Sequence, residues 1–269
     1  MEDIRESVRE AYGSVAGTKG TCCAPTASCC GSGDISAQIG YSFEELNSVP
    51  QDANLGLGCG NPTALASLRE GEVVLDLGSG GGLDCFLAAQ KVGPGGRVIG
   101  VDMTPEMVTL ARKNASEGNH SNVEFRLGEI ENLPVADDSI DVIISNCVIN
   151  LSPDKERVFE EAFRVLTSGG RLMISDITLL RPLPDFIKEN IDAYVQCLAG
   201  ALLKEDYLAQ ITSVGFKNVT VIEQNAFGSI MKSTDPLAKS LVEKFNLSSE
   251  QLIDIAESVV TIKIRAEKT

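Results

Sequence analysis

The chain has no tryptophan and a single histidine, His120, among 269 residues. That scarcity excludes a histidine-built metal centre and leaves few ordinary acid–base groups for catalysis. No apolar run approaches the roughly 20 residues needed to span a bilayer, so a membrane protein of helical type is not expected. No basic stripe is present either, and the formal net charge is −15. A nucleic-acid backbone is therefore a poor partner, because such binding rests on neutralising phosphates with clustered Lys and Arg. The first residues, MEDIRESVREAYG, are charged and amphipathic, unlike a secretory signal. The reading is a cytoplasmic protein with one substantial core, expected to be a monomer.

Eight cysteines stand out against these absences. In a reducing compartment they are not expected as structural disulfides. They serve as small buried hydrophobes, ligands for a soft species, or redox-active thiols. Glu2–Tyr12 reads as a helix with a Val8 and Ala11 face. The segment from Gly13 to Gly33 is low in complexity and reads as a mobile arm. It holds Cys22, Cys23, Cys29 and Cys30 as two adjacent pairs. Adjacent pairs with no nearby histidine do not match a zinc knuckle. Capture of a thiophilic species is the chemistry they suit. Residues 1–40 thus form a helix and a cysteine-rich arm, ahead of one domain over 41–269. A helical insert is expected over about 229–257.

Cys59 lies between Gly58 and Gly60, just before Asn61 and Pro62. Asn is a good N-cap and Pro suits the first helical position, so a helix is expected from there through Leu68. Its positive end favours a thiolate at Cys59. Next comes VVLDLGSGGG, residues 73–82, an apolar run that breaks into glycines and is followed by helical spacing from Leu83 to Val92. Strand, tight turn and helix let a backbone approach a ligand closely. The glycines fall at 78, 80 and 82. A dinucleotide fingerprint needs its third glycine at 83, where Leu stands, and Asp76 is unwelcome beside a pyrophosphate. A cofactor with a cationic amino-acid end fits better.

Further strands are expected over 97–102, 123–127, 140–145, 170–177 and 216–223, with a last one in SVVTIKIRA. The alternation with helices predicts an α/β fold: a mostly parallel sheet of seven strands, helices on both faces, and antiparallel pairing at one edge. Asp102 ends the second strand about 20 residues beyond the glycines, where an acid accepts both ribose hydroxyls. Glu129 and Ile130 follow the third strand and face the base side of the crevice. Asn146 and Cys147 end the fourth strand, where ligands bind in such sheets. Residues 184–203 read as helical and carry Cys197. Cys85 reads as core packing, and His120 sits in a loop with no assigned chemistry.

VVLDLGSGGG, VIGVD and GEIENLP resemble the first three motifs of Rossmann-like class I S-adenosylmethionine-dependent methyltransferases. LGLGCGNP, LDLGSGGGLDC, VDMTPEM, SNCVINLSPDK and AYVQCLAGAL together resemble the arsenite methyltransferase family, in a short form. The resemblance runs from about Tyr12 to Ala266. It implies S-adenosylmethionine as cofactor, contacted by Asp76, Gly78, Gly80, Gly82, Asp102, Met103, Glu129, Ile130 and Asn146. It implies that Cys147 and Cys197 hold arsenic, and that Cys59 joins them and forms a transient disulfide. One thiol of the arm, among Cys22, Cys23, Cys29 and Cys30, would also bind arsenic. The implied substrate is arsenite or its thiol conjugates, and the implied reductant thioredoxin or glutathione. Three rivals stay open: a methyltransferase of the same fold with another small substrate, a non-catalytic protein that binds arsenite or another soft metal, and a nicotinamide oxidoreductase, which Leu83 and the missing acid–base pair disfavour.

Overall fold

The computed structural model describes residues 4–17, 36–37, 39–62, 67–226, 245 and 247–269. The cysteine pairs of the arm, most of the helix expected after Asn61, and the larger part of the 229–257 insert lie outside these residues. Seven strands form one sheet: β1 (Val73–Leu77), β2 (Arg97–Asp102), β3 (Val123–Leu127), β4 (Ile140–Asn146), β5 (Leu166–Leu179), β6 (Lys217–Ala226) and β7 (Val259–Glu267). Their spatial order is β3-β2-β1-β4-β5-β7-β6. The first five are parallel, and β7 runs antiparallel between β5 and β6. The antiparallel pairing expected from the sequence lies at this end of the sheet.

The central strands are apolar almost throughout because helices cover both of their faces. On one face Leu75, Leu77, Ile143 and Ile174 pack with Phe159, Tyr207 and Phe216. These meet α5 (Lys155–Val165) and α8 (Lys204–Ser213). On the other, Val74, Ile144 and Met173 pack with Phe86, Leu87 and Ala88 of α3 (Leu83–Val92). A third cluster sits past the C-terminal ends of the strands. It joins Cys59, Cys147 and Cys197 to Leu183, Ile187, Leu198 and Val259. The chain leaves β1 toward β2 and leaves β4 toward β5 on its other side. The connections therefore diverge between β1 and β4 and open a crevice there.

Several local expectations are refined. The helix α1 (Ile4–Gly17) continues through residues read as the start of the mobile arm. Gly13 lies close against Glu106 of α4 (Pro105–Glu117), so the missing side chain there serves packing. The short helix α2 (Phe43–Asn47) carries a capping box of Ser42 and Glu45. Residues 184–203 do not form one helix. They hold α6 (Asp185–Lys188) and α7 (Ile191–Val195), the latter capped by the Asn190 side chain, which accepts from the Ala193 N–H at 3.0 Å. That cap restarts the chain and leaves Cys197 in a turn beyond α7. A final helix, α9 (Ser249–Ser258), leads into β7.

Phe86 is fully buried behind the glycine turn and packs edge-on to Phe125 and stacked on His120. His120, given no chemistry by the sequence, is part of this wall. Phe86→Ala is expected to cost about 3–5 kcal/mol of unfolding free energy, from lost burial plus an unfilled cavity. Urea denaturation of the variant against wild type checks this.

Candidate functional site

The crevice between β1 and β4 is lined by the turn after β1, the ends of β2 and β4, and α1. Its floor is the turn after β1. The N–H groups of Gly78 and Ser79 both donate to the Val101 carbonyl, at 2.8 and 3.0 Å, drawing the turn across the end of β2. Gly82 has a φ of 96° and sits against Phe86 and Phe125, so a side chain there meets both strain and collision. Asp102 accepts from the Gly80 N–H and from the Thr104 N–H, each at 2.9 Å. Asp76, Gly78, Gly80, Asp102, Met103, Ile130 and Asn146 all line the crevice. Gly82 lies behind the turn and shapes it from below. Glu129 is placed differently: it stands at the rim, paired with Arg5 and Arg9 of α1.

Two residues not assigned from the sequence complete the polar end of the crevice. The buried Tyr41 hydroxyl donates to Asp84 at 2.7 Å. The Asn146 amide nitrogen donates to Tyr41 Oη at 2.9 Å and to Asp84 Oδ2 at 3.2 Å. Its amide oxygen accepts from the Cys59 N–H at 3.2 Å. One side chain thus ties the acidic pocket to the first cysteine. Burial pushes the Asp84 carboxyl up to about 6, against the hydrogen bonds from Tyr41 and Asn146. Burial and the neighbouring Asp84 raise Asp76 further. Asp76 accepts from the Cys85 thiol at 3.2 Å, so Cys85 is a buried support, as its core position indicated. Tyr41 carries no motif that marks it. Asp84 follows the glycine turn directly, and its place at the start of α3 was the available signal.

The cysteines gather on the β4–β5 side. Cys147 lines the crevice and is joined to Cys59 as a disulfide, with Cα atoms 5.8 Å apart. The glycines around Cys59 are needed for close approach. A Cβ at Gly58 would meet the Asn146 amide, and one at Gly60 would collide with Ser175. Cys147 and Cys197 both hold left-handed backbones, with φ of 57° and 64°. Such values are uncommon outside glycine and cluster at functional positions. The Cys197 thiol donates to the Cys147 carbonyl at 2.8 Å. Burial pushes that thiol well up, with Asp176 adding to the shift, and the Tyr12 hydroxyl and Lys155 opposing it.

Asp176 on β5 is the residue the sequence reading missed. It is fully buried, and its carboxylate and the sulfurs of Cys59 and Cys147 lie within 4.8 Å of one another. An acid inside the apolar run LMISDITL was a signal available in the sequence. Burial raises it to about 7, against donors from Ile177, Tyr207 and Asn150 and the charge of Lys155. The mouth of the crevice is closed over by α1, whose Arg5, Val8 and Tyr12 line it. Arg5 pairs with Glu131 at 3.1 Å, and Glu131 accepts from the Ser152 hydroxyl at 2.6 Å.

These buried acids give a pH dependence of known sign. Asp84 and Asp176 titrate higher when folded than the roughly 4 of an unfolded aspartate, so the folded chain holds more protons between those values. Their stabilisation is complete below about pH 4 and is lost as pH rises through 6 and 7. Glu124, held at about 2 chiefly by Arg126, titrates below that window. The urea midpoint should therefore fall from pH 5 to above pH 7. Asp176→Asn should flatten that fall, as measured by denaturation at a series of pH values.

Residues 68–235 match the family model described as a methyltransferase domain. The arsenite methyltransferase of Halobacterium salinarum is 49% identical over 230 residues, covering 82% of this chain and 59% of that protein. The arsenite methyltransferase of Aquipseudomonas alcaligenes is 39% identical over 227 residues, covering 82% and 64%. The chain thus spans about three fifths of the length of these curated relatives. Among solved structures, the arsenic(III) S-adenosylmethionine methyltransferase CrArsM of Chlamydomonas reinhardtii is similar with a TM-score of 0.65. It is 34% identical, over 87% of this chain and 73% of that one. With the β1–β4 crevice and its glycine turn, the family match shows that the chain belongs to the methyltransferase domain family, and over its own length it is similar to arsenite methyltransferases.

Proposed function

We propose that the chain transfers methyl groups from S-adenosylmethionine to trivalent arsenic held by its own thiolates. The observation that carries this reading is that Cys147 lines the crevice while disulfide-bonded to Cys59, with the Cys197 thiol on the Cys147 carbonyl. The crevice fits the cofactor by its chemistry. Asp76 and Asp84 are buried carboxyls that a cationic group would bring into their charged form, Asp102 keeps lone pairs for ribose hydroxyls, and Ile130 offers an apolar wall for a base. The buried Ser79 hydroxyl has no hydrogen-bond partner among the described residues and can donate to a ligand. Asp76, Gly78, Gly80, Gly82, Asp102, Met103, Ile130 and Asn146 are the proposed cofactor residues. Glu129 is reserved for the rim, where it meets α1.

Bound S-adenosylmethionine supplies a methyl group on a cationic sulfur, an electrophile for an arsenic lone pair. The chain's residues do the rest. Arsenite is a neutral trihydroxide, and each protonated thiol that replaces a hydroxide carries its own proton away as water. A buried, protonated Cys197 is therefore competent as it stands, and no histidine base is required. Three sulfurs leave the arsenic lone pair free, and the closed crevice holds donor and acceptor in one geometry. Oxidation of Cys59 and Cys147 to their disulfide releases two electrons and two protons, enough to return a methylated arsenic to its trivalent state. Thioredoxin or glutathione then resets the pair by thiol exchange. Residues 1–40 act as an arm whose cysteines deliver arsenic, on a monomeric domain over 41–269.

Cys147→Ser and Cys197→Ser should each abolish arsenite-dependent transfer of labelled methyl, a loss of at least about 100-fold expected when a substrate ligand is removed. Cofactor binding, followed by calorimetry, should persist in both. Normal turnover in either variant would remove the cysteine mechanism.

A further inference from the structure

The Asp176 carboxylate is buried without a direct ion pair, although the buried Lys155 lies near enough for its charge to act on it. It is 0% exposed, and among the described residues no Lys or Arg nitrogen lies within ion-pair distance of it. Instead it is held by hydrogen bonds. Oδ1 accepts from the Asn150 amide and the Ile177 N–H, both at 2.8 Å, and Oδ2 accepts from the Tyr207 hydroxyl at 3.0 Å. A carboxylate has about four acceptor sites, so one lone pair on Oδ2 is left over. The nearest strong chemistry is the sulfur pair of Cys59 and Cys147, within 4.8 Å of that carboxylate. Hydrogen-bonded support of this kind is what orients a metal-ligating carboxylate from behind.

We propose that, once the Cys59–Cys147 disulfide is reduced, the two thiolates and the Asp176 carboxylate form a site for one divalent zinc ion, which competes with arsenite for the thiols. Two sulfurs and one oxygen suit zinc, a borderline-soft cation content with four ligands, and leave the fourth position to water. The balance is simple. A dithiol gives two electrons and two protons to the disulfide and is itself oxidised. Zinc then displaces both thiol protons to solvent and forms two Zn–S bonds and one Zn–O bond, with no further redox change. Cys197 stands outside this group of mutually close ligand atoms, so the zinc site shares only two of the three cysteines proposed for arsenic. The site itself is independent of the arsenic reading; the competition rests on it.

The test uses the full chain with C22S, C23S, C29S and C30S, so that the arm's thiols take no zinc. The chain is reduced with a phosphine, freed of reductant under nitrogen, and titrated with zinc chloride against a chromophoric chelator. One zinc per reduced chain is expected, with none taken by the oxidised chain. Asp176→Asn should weaken binding about tenfold or more. Zinc-edge X-ray absorption of the zinc complex of this four-serine chain should show two sulfur neighbours at about 2.3 Å, the rest being oxygen. No uptake by the reduced chain, equal uptake by the oxidised chain, three or more sulfur neighbours, or unchanged affinity in a folded Asp176→Asn would each overturn the proposal. Zinc should also slow arsenite methylation by the reduced enzyme, and excess arsenite should relieve it. Zinc uptake as described without any arsenite turnover would sink the proposed function and leave the zinc site standing.

Discussion

The side-chain amide of Asn146 joins the two halves of the site. Its nitrogen holds Tyr41 and Asp84 on the acidic side of the crevice, and its oxygen holds the Cys59 backbone on the sulfur side. That is possible only because β4 ends beside β1, where the connections diverge and leave the strand ends uncovered. Asn146 is the last residue of β4, and Cys147 is the first beyond it, still paired through its N–H to Ser175 of β5 at 2.8 Å. Moving the register of β4 by one residue would send both side chains to the wrong face. The packing of the central strands therefore sets the distance between the crevice floor and the sulfurs.

A second constraint is electrostatic. Asp76, Asp84, Asp102 and Asp176 are all largely or fully buried near the C-terminal ends of the strands, and burial raises each one. Apart from Lys155 near Asp176, no cationic side chain of the described residues pairs with them, so a positively charged ligand would favour their ionised forms. The cationic residues are at the rim: Arg5 and Arg9 of α1 meet Glu129 and Glu131. Closing charges lie at the mouth and unpaired acids on the floor.

Much of the fold was legible because its signals are local. The alternation of apolar runs and helical spacing follows from burial on both faces, and the glycine turn from the need for backbone approach. Strand ends were less legible. β5 begins at Leu166, ahead of the expected Gly170, because its pairing with β4 shifts between Ile140 and Val142. The break between α6 and α7 also escaped the apolar spacing of residues 184–203, since an Asn cap inside an apolar stretch interrupts the helix without changing its periodicity. Tyr41 and Asp84 belong to different segments, 43 residues apart, and only their meeting gives them a role.

The sequence by itself determined the chemistry on offer: cysteines in place of histidines, an acid ahead of the glycine turn, a second acid about 20 residues on, and strands that must be covered on both sides. Those are properties of residue type and short-range spacing. The tertiary structure decided the partnerships. It placed Cys59 and Cys147 within bonding distance across 88 residues, turned the backbones of Cys147 and Cys197 into left-handed conformations, and set Asp176 behind the sulfur pair. Such contacts depend on sheet order and on which face each residue presents, and both are settled only when the whole core packs.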